Sequence, residues 1–175
     1  MTNPKLPELM QFSFVVEDLE SAIQHWAQNF HVGPFFVSEH IPYKSCLYLG
    51  QPIDLDMSVA IAYNGSIQIE LVKQHNDSPS IFREFMLNRG DGLQHVAMIS
   101  EDLSADLARY AANGVTPVQE GEAENGTRFA YLNTDRIPGT MLELVSPTEE
   151  VLRAFNFMRN AADSWMAGDS AKYGG

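Results

Sequence analysis

Cysteine is almost missing from this 175-residue chain, which has only Cys46. A lone thiol forms no internal disulfide and gives no paired-thiolate zinc site, so a reducing compartment, the cytoplasm, is expected. Basic residues are scarce as well. Against 23 Asp+Glu there are 11 Lys+Arg, a formal net charge of −12, which repels phosphate backbones and anionic lipid over most of the surface. No nucleic-acid or membrane partner is expected. Apolar runs are short: nowhere do about 18 apolar residues follow one another, as a membrane-spanning helix requires. Met1–Pro7 also lacks the basic start and apolar stretch of a signal peptide. What is present suits a globular chain, with 45% hydrophobic and 19% charged residues, enough to bury a core. The length fits one ordinary domain over residues 1–175.

A local pattern occurs twice. From Met10 the chain reads Met-Gln-Phe-Ser-Phe-Val-Val-Glu-Asp-Leu, and from Gln94 it reads Gln-His-Val-Ala-Met-Ile-Ser-Glu-Asp-Leu. Each copy alternates with the period of a strand and ends in Glu-Asp-Leu, where Asp18 and Asp102 stand at helix N-cap positions. Leu19, Ile23, Trp26, Ala27 and Phe30 then fall on one helical face, as do Leu103, Leu107, Tyr110 and Ala111, and Gly33 and Gly114 follow as stops. Further strands are expected at Ser58–Ala62, Ile67–Val72, Arg128–Asn133 and Thr140–Val145, with Asn64-Gly65 as a type I′ hairpin turn. The expected fold class is α+β: two tandem βαβββ modules, residues 9–75 and 92–147, with a bridging helix at 78–89 and a C-terminal helix and frayed tail at 148–175. The segment from Pro34 to Met57 reads as a long aromatic-rich loop that shapes a pocket or a dimer contact.

Alternation also selects the side chains on the helix-free face of each strand. Phe12, Phe14 and Val16 should meet the first helix, which leaves Gln11 and Ser13 on the other side. Val96 and Met98 leave His95 and Ala97 likewise. Gln68 and Glu70 lie between Ile67, Ile69 and Leu71, and Glu143 lies between Leu142 and Leu144. Gln11 and His95 are thus repeat-equivalent, and so are Glu70 and Glu143. Taken singly, a strand histidine is most simply hydrogen-bonded and a strand glutamate solvated. Placed together by one repeat rule, the four converge if the modules pack side by side. Two buried carboxylates then need compensation, and a divalent cation provides it. One imidazole, two carboxylates and an amide oxygen suit zinc, nickel, cobalt, manganese or iron(II) without selecting among them. The small Ser13 and Ala97 would leave room there for a ligand.

The double module, Gly92-Leu93-Gln94-His95-Val96-Ala97, Ile69-Glu70-Leu71-Val72 and Leu142-Glu143-Leu144-Val145 together resemble the vicinal oxygen chelate superfamily, the glyoxalase, bleomycin resistance and dioxygenase group. The resemblance runs from Leu9 to Pro147 and is nearest to the methylmalonyl-CoA epimerase-like glyoxalases. Ser78-Pro79 with Phe82 and Phe85 is similar to the epimerase bridge, and Gly126–Leu132 with Gly139–Leu144 is similar to its closing hairpin. The likeness implies a half-open, barrel-like mixed sheet with the helices outside, a homodimer, and metal ligands at Gln11, Glu70, His95 and Glu143. The Gln-Glu-His-Glu set resembles eukaryotic-type glyoxalase I rather than the epimerases, which have His first and an amide second. Only Asp54 or Asp56 stands near the epimerases' further, non-ligand acid. These departures count against methylmalonyl-CoA as the substrate.

The implied chemistry is proton removal next to a carbonyl, with the metal stabilising an enediolate or enolate, in an isomerase, epimerase or lyase. Glu143 is expected to be the base and Glu70 to deliver the proton to the other carbon or face. Arg128, one strand period from Ala130, is a candidate for an anionic substrate group. The expected substrate is a small molecule with adjacent oxygens or a thioester. Two other classes compete: a metal-free binding protein of the resistance type, and an iron-dependent dioxygenase, whose usual two-His-one-carboxylate triad Gln11 would break.

Overall fold

Each repeat folds as its alternation dictates. The computed structural model describes residues 8–134, 140–166 and 168–173; Gly139 of the expected closing hairpin and Met1–Pro7 lie outside them. Strand β1 (Leu9–Val15) leads into α1 (Leu19–Phe30), and β7 (Gly92–Ile99) leads into α3 (Leu103–Ala111). Asp18 Oδ1 accepts from the Ser21 N–H at 2.6 Å and Asp102 Oδ1 from the Ala105 N–H at 3.0 Å. Caps of this kind contribute about 1 kcal/mol each. The first module continues through β2 (Phe35–Ser38), β5 (Met57–Asn64) and β6 (Ile67–Gln74), and the second through β8 (Pro117–Ala123), β9 (Arg128–Leu132) and β10 (Met141–Ser146). The β5–β6 turn differs from expectation. Its loop residues are Gly65 and Ser66, with positive φ at Gly65 (61°) and not at Asn64, the pattern of a turn with glycine first rather than type I′.

Both modules share one mixed sheet that curls into a half-barrel. Its central order is β2-β5-β6-β1-β7-β10-β9-β8. Strands β1 and β7 run antiparallel at the seam, with Gln11 opposite Ala97 and Ser13 opposite His95. Because these residues are repeat-equivalent in crossed pairs, the register relates the modules by an approximate twofold. Strands β6 and β10 flank the seam, each parallel to its neighbour.

Three cores follow from the two faces of the sheet. Outside, Phe12, Phe14, Ile69 and Leu71 pack with Ile23 and Trp26 of α1, while Val96, Met98, Ala130, Leu142 and Leu144 pack with Leu103 and Leu107 of α3. Inside the curl, Val15, Met57, Val72, Phe129, Tyr131 and Met141 gather with Ile81 and Phe82 of the bridging helix α2 (Ile81–Arg89). Full burial of a side chain such as Leu71 or Leu144 contributes roughly 1.5–3 kcal/mol.

Two stretches depart from the sequence-based expectation. The segment from Pro34 to Met57 is not a loop, because it holds β2, β3 (Tyr43–Tyr48) and β4 (Gln51–Pro52). Strand β3 crosses to the second module and pairs antiparallel with β8, covering what would be an open edge. After α4 (Glu149–Ser164), the tail returns and places β11 (Lys172–Tyr173) beside the opposite edge strand, β2. It is held rather than frayed: Phe35 N–H donates to Ala171 O at 2.8 Å, and Trp165 Nε1 donates to Ser170 O at 2.9 Å.

The β3–β8 crossing depends on Gly121, which faces Cys46. A Cβ there would lie 2.3 Å from the Ser45 carbonyl oxygen and 2.7 Å from the Phe129 ring. Gly121→Ala should therefore push β3 away and cost about 1–3 kcal/mol. Urea denaturation should show a lower midpoint for the variant, and an unchanged midpoint would contradict the close approach.

Candidate active site

The seam strands and their parallel neighbours aim four polar side chains into the half-barrel. Gln11 comes from β1, Glu70 from β6, His95 from β7 and Glu143 from β10. The structure brings these four sequence-selected residues together. His95 is fully buried, and its Nε2 lies 3.6 Å from Glu70 Oε2 and 3.3 Å from Glu143 Oε2. On the far side of the ring, His95 Nδ1 lies 2.6 Å from Gln94 Oε1, an acceptor, so Nδ1 carries a proton there and Nε2 is the nitrogen turned toward the two carboxylates. Gln94 is held in turn by Met141, whose Sδ accepts from Nε2 at 3.6 Å.

Gln11 is oriented in a comparable way. Its Nε2 donates to Gln68 Oε1, and Gln68 Nε2 donates to Tyr63 Oη at 2.9 Å. This leaves Gln11 Oε1 free. Gln11 Oε1 and His95 Nε2 are both buried side-chain atoms without a hydrogen-bond partner. Such atoms are costly unless something accepts their lone pairs, and two of them beside two carboxylates form a donor set for a divalent cation. The residues present fit the ion that the sequence pattern implies.

Electrostatics point the same way. Burial, with the Glu143 carboxylate adding to it, pushes the Glu70 carboxyl up from 4.5 to about 7, against opposing effects of His95 and of hydrogen bonds from Ser13 and Gln11. Ser13 Oγ donates to Glu70 Oε2 at 2.6 Å. The Tyr131 phenol is driven well above its ordinary range by burial, by both carboxylates and by its hydrogen bond to Glu143. Tyr43, reaching in from β3, is raised mainly by burial. Tyr131 also stacks edge-on against His95, with ring centroids 5.0 Å apart.

The three residues expected to touch substrate, Ser13, Ala97 and Arg128, take different places. Ser13 and Ala97 are wholly buried within the seam, and Ser13 is engaged by Glu70. Ala130 packs under α3, so Arg128, on the same strand face, points away from the half-barrel, and it is exposed. Phe129 and Tyr131 line the cavity instead. That cavity measures ≈ 380 Å³ and is bounded by Gln11, Glu70, Glu143 and α4, among others. Tyr43 belongs to the aromatic-rich segment expected to shape a pocket, whereas sequence reasoning missed Tyr131 and the α4 wall. The aromatic alternation of Phe129 and Tyr131 was the available signal for one of them.

A second group of donors lies elsewhere. His40, Asp56 and His75 bring ligand atoms within 4.8 Å of one another where β2, β5 and β6 end. Unlike the central atoms, these have partners: His40 Nδ1 meets Asp56 Oδ1 at 2.6 Å, and His75 Nε2 meets Ser58 Oγ at 2.7 Å. Both histidines are exposed.

Two βαβββ modules closing around one inward set of donors define a class of paired-module half-barrels. Residues 10–131 match the Glyoxalase/Bleomycin resistance protein/Dioxygenase superfamily, and the chain belongs to it. Methylmalonyl-CoA epimerase from Mycobacterium tuberculosis superimposes with a TM-score of 0.64 at 22% identity, over 87% of this chain and 97% of that one. A hypothetical protein from Bacillus halodurans gives 0.61 at 17% identity, over 83% and 97%. A Streptomyces coelicolor methylmalonyl-CoA epimerase variant in complex with 2-nitronate-propionyl-CoA gives 0.58 at 16% identity, over 83% and 97%. These likenesses establish a shared fold. No curated protein is significantly similar in sequence. Among the described residues no helix is long and apolar enough to cross a membrane.

The raised Glu70 carboxyl makes stability depend on pH. Its folded value, about 7, exceeds the ordinary carboxyl value of 4.5, so the folded state holds a proton that the unfolded state releases, and stability falls as pH rises between those values. In chelator, the melting temperature should drop between about pH 5 and about pH 8, and Glu70→Gln should flatten that drop. An identical pH dependence in both proteins would contradict the burial of an ionisable Glu70.

Proposed function

We propose that the protein is a divalent-metal-dependent isomerase, epimerase or lyase of glyoxalase type, acting on a small molecule with adjacent oxygens or a thioester. The observation that carries this reading is the pair of buried, unpartnered atoms, Gln11 Oε1 and His95 Nε2, beside the Glu70 and Glu143 carboxylates. A divalent cation held by these four residues supplies a Lewis acid that lowers the cost of negative charge on a substrate carbonyl oxygen.

The remaining work falls to the chain. Glu143 takes the proton from the carbon next to the carbonyl, and Tyr131 steadies it through its hydrogen bond. Glu70, facing from the other module and bonded by Ser13 Oγ, delivers a proton to the other carbon or face. Two carboxyls whose surroundings differ divide the acid and base roles. Gln94 fixes the His95 tautomer, and Gln68 fixes the Gln11 amide. The apolar walls exclude water, which strengthens every charge interaction inside. The single imidazole in this set counts against oxygen chemistry of the two-His-one-carboxylate kind.

Glu143→Gln should reduce turnover of the cognate substrate by about a hundredfold or more while leaving the fold intact, and near-normal activity would reject its role as base. His95→Ala should lose most bound metal in elemental analysis of protein purified without chelator, whereas His40→Ala should keep it. The reverse pattern would move the metal to the surface cluster and overturn the reading.

A further inference from the structure

We propose that the substrate is uncharged and largely apolar around its reacting carbonyl, not a carboxylate-bearing acyl thioester or a glutathione adduct. This deepens the proton-transfer reading above and rests on it. The cavity reached by Gln11, Glu70 and Glu143 is walled by Leu55, Met57, Val59, Phe129, Phe155 and Met158. Its volume of ≈ 380 Å³ lies toward the lower end of the roughly 300–1,000 Å³ usual for small-molecule sites.

Charge decides the chemical class. None of the described residues lining the cavity is a lysine or arginine, and three are acids: Glu39, Glu70 and Glu143. Among the described residues, basic side chains nearby are engaged elsewhere: Lys44 Nζ pairs with Glu122 at 2.8 Å, Arg83 with Asp77 at 2.5 Å, Arg159 of α4 donates to Asn156 Oδ1 at 2.8 Å, and Arg128 is on the outer face. A divalent cation between Glu70 and Glu143 would have its charge matched by those two carboxylates and its open position taken by the reacting oxygen, leaving no further cation for a carboxylate elsewhere on the substrate. A carboxylate in this cavity would be desolvated without a partner, which is unfavourable. A neutral carbonyl compound meets no such penalty.

Helix α4 supplies the complementary attraction. Val151, Phe155 and Met158 recur at helical spacing, are only half-buried, and line the cavity. Their remaining accessible surface is apolar, so an apolar substrate body that covers it gains the hydrophobic contribution of that burial. The helix thus acts as one wall of the pocket as well as a packing element against β5.

Titration calorimetry on the full chain tests this with two probes that differ only in charge: 1-phenyl-1,2-propanedione and the same diketone bearing a para carboxylate on the ring. The neutral diketone should bind about tenfold or more tightly than its carboxylate, and Phe155→Ala or Met158→Ala should weaken the neutral probe selectively. Equal or tighter binding of the carboxylate, tighter binding of methylmalonyl-CoA than of the neutral diketone, or binding of neither diketone overturns the proposal. Elemental analysis of the same samples separates the two readings. Preference for the carboxylate with metal retained defeats the substrate class alone. Preference for the neutral probe in protein that never holds metal defeats the metal-dependent reading and leaves the apolar pocket standing.

Discussion

The chain buries two carboxylates, an imidazole and an amide oxygen at the seam between its modules, and leaves two of the lone pairs unmet. That is an expensive arrangement for a protein interior unless a cation completes it. Most of the architecture serves to hold it. The antiparallel pairing of β1 with β7 sets Ser13 opposite His95, so the hydroxyl that donates to Glu70 also lies next to the imidazole strand. Parallel pairing of β6 and β10 with the seam strands brings one glutamate from each side. With α1 and α3 packed outside, the inner face remains available for chemistry.

Much of this was legible from strand period alone. Phe12 and Phe14 under α1, and Val96 and Met98 under α3, fix which way Gln11 and His95 point, and a one-residue error in register would have inverted both. What escaped was set by distant contacts. Strand β3 finds its partner, β8, about seventy residues further along the chain, and no local signal announces that pairing. Arg128 was expected beside the site through Ala130, one strand period away. In the fold Ala130 packs beneath α3, which puts that strand face outside the half-barrel. His40, Asp56 and His75 come from three strand ends and share no spacing rule. Helix α4 shows an apolar stripe that reads as ordinary packing, and only the curled sheet turns that stripe toward a cavity.

The fold and the cavity carry separate information. Superposition on methylmalonyl-CoA epimerases establishes architecture at 16–22% identity, and architecture alone does not fix chemistry. Here the donor set has Gln11 and Glu70 at the first two positions, and the cavity wall is apolar and acidic rather than basic. The proposed neutral substrate rests on that lining and not on the superposition. Tyr43, delivered by the strand that crosses between modules, and Tyr131, opposite Glu143, give the donor set an aromatic enclosure.

The most direct test is anomalous diffraction from crystals of the full chain grown with manganese or zinc. A single strong anomalous peak within coordination distance of Gln11 Oε1, Glu70, His95 Nε2 and Glu143 is the predicted result. A metal-loaded crystal with its peak only at His40, Asp56 and His75, or with no peak at the seam, would contradict the account.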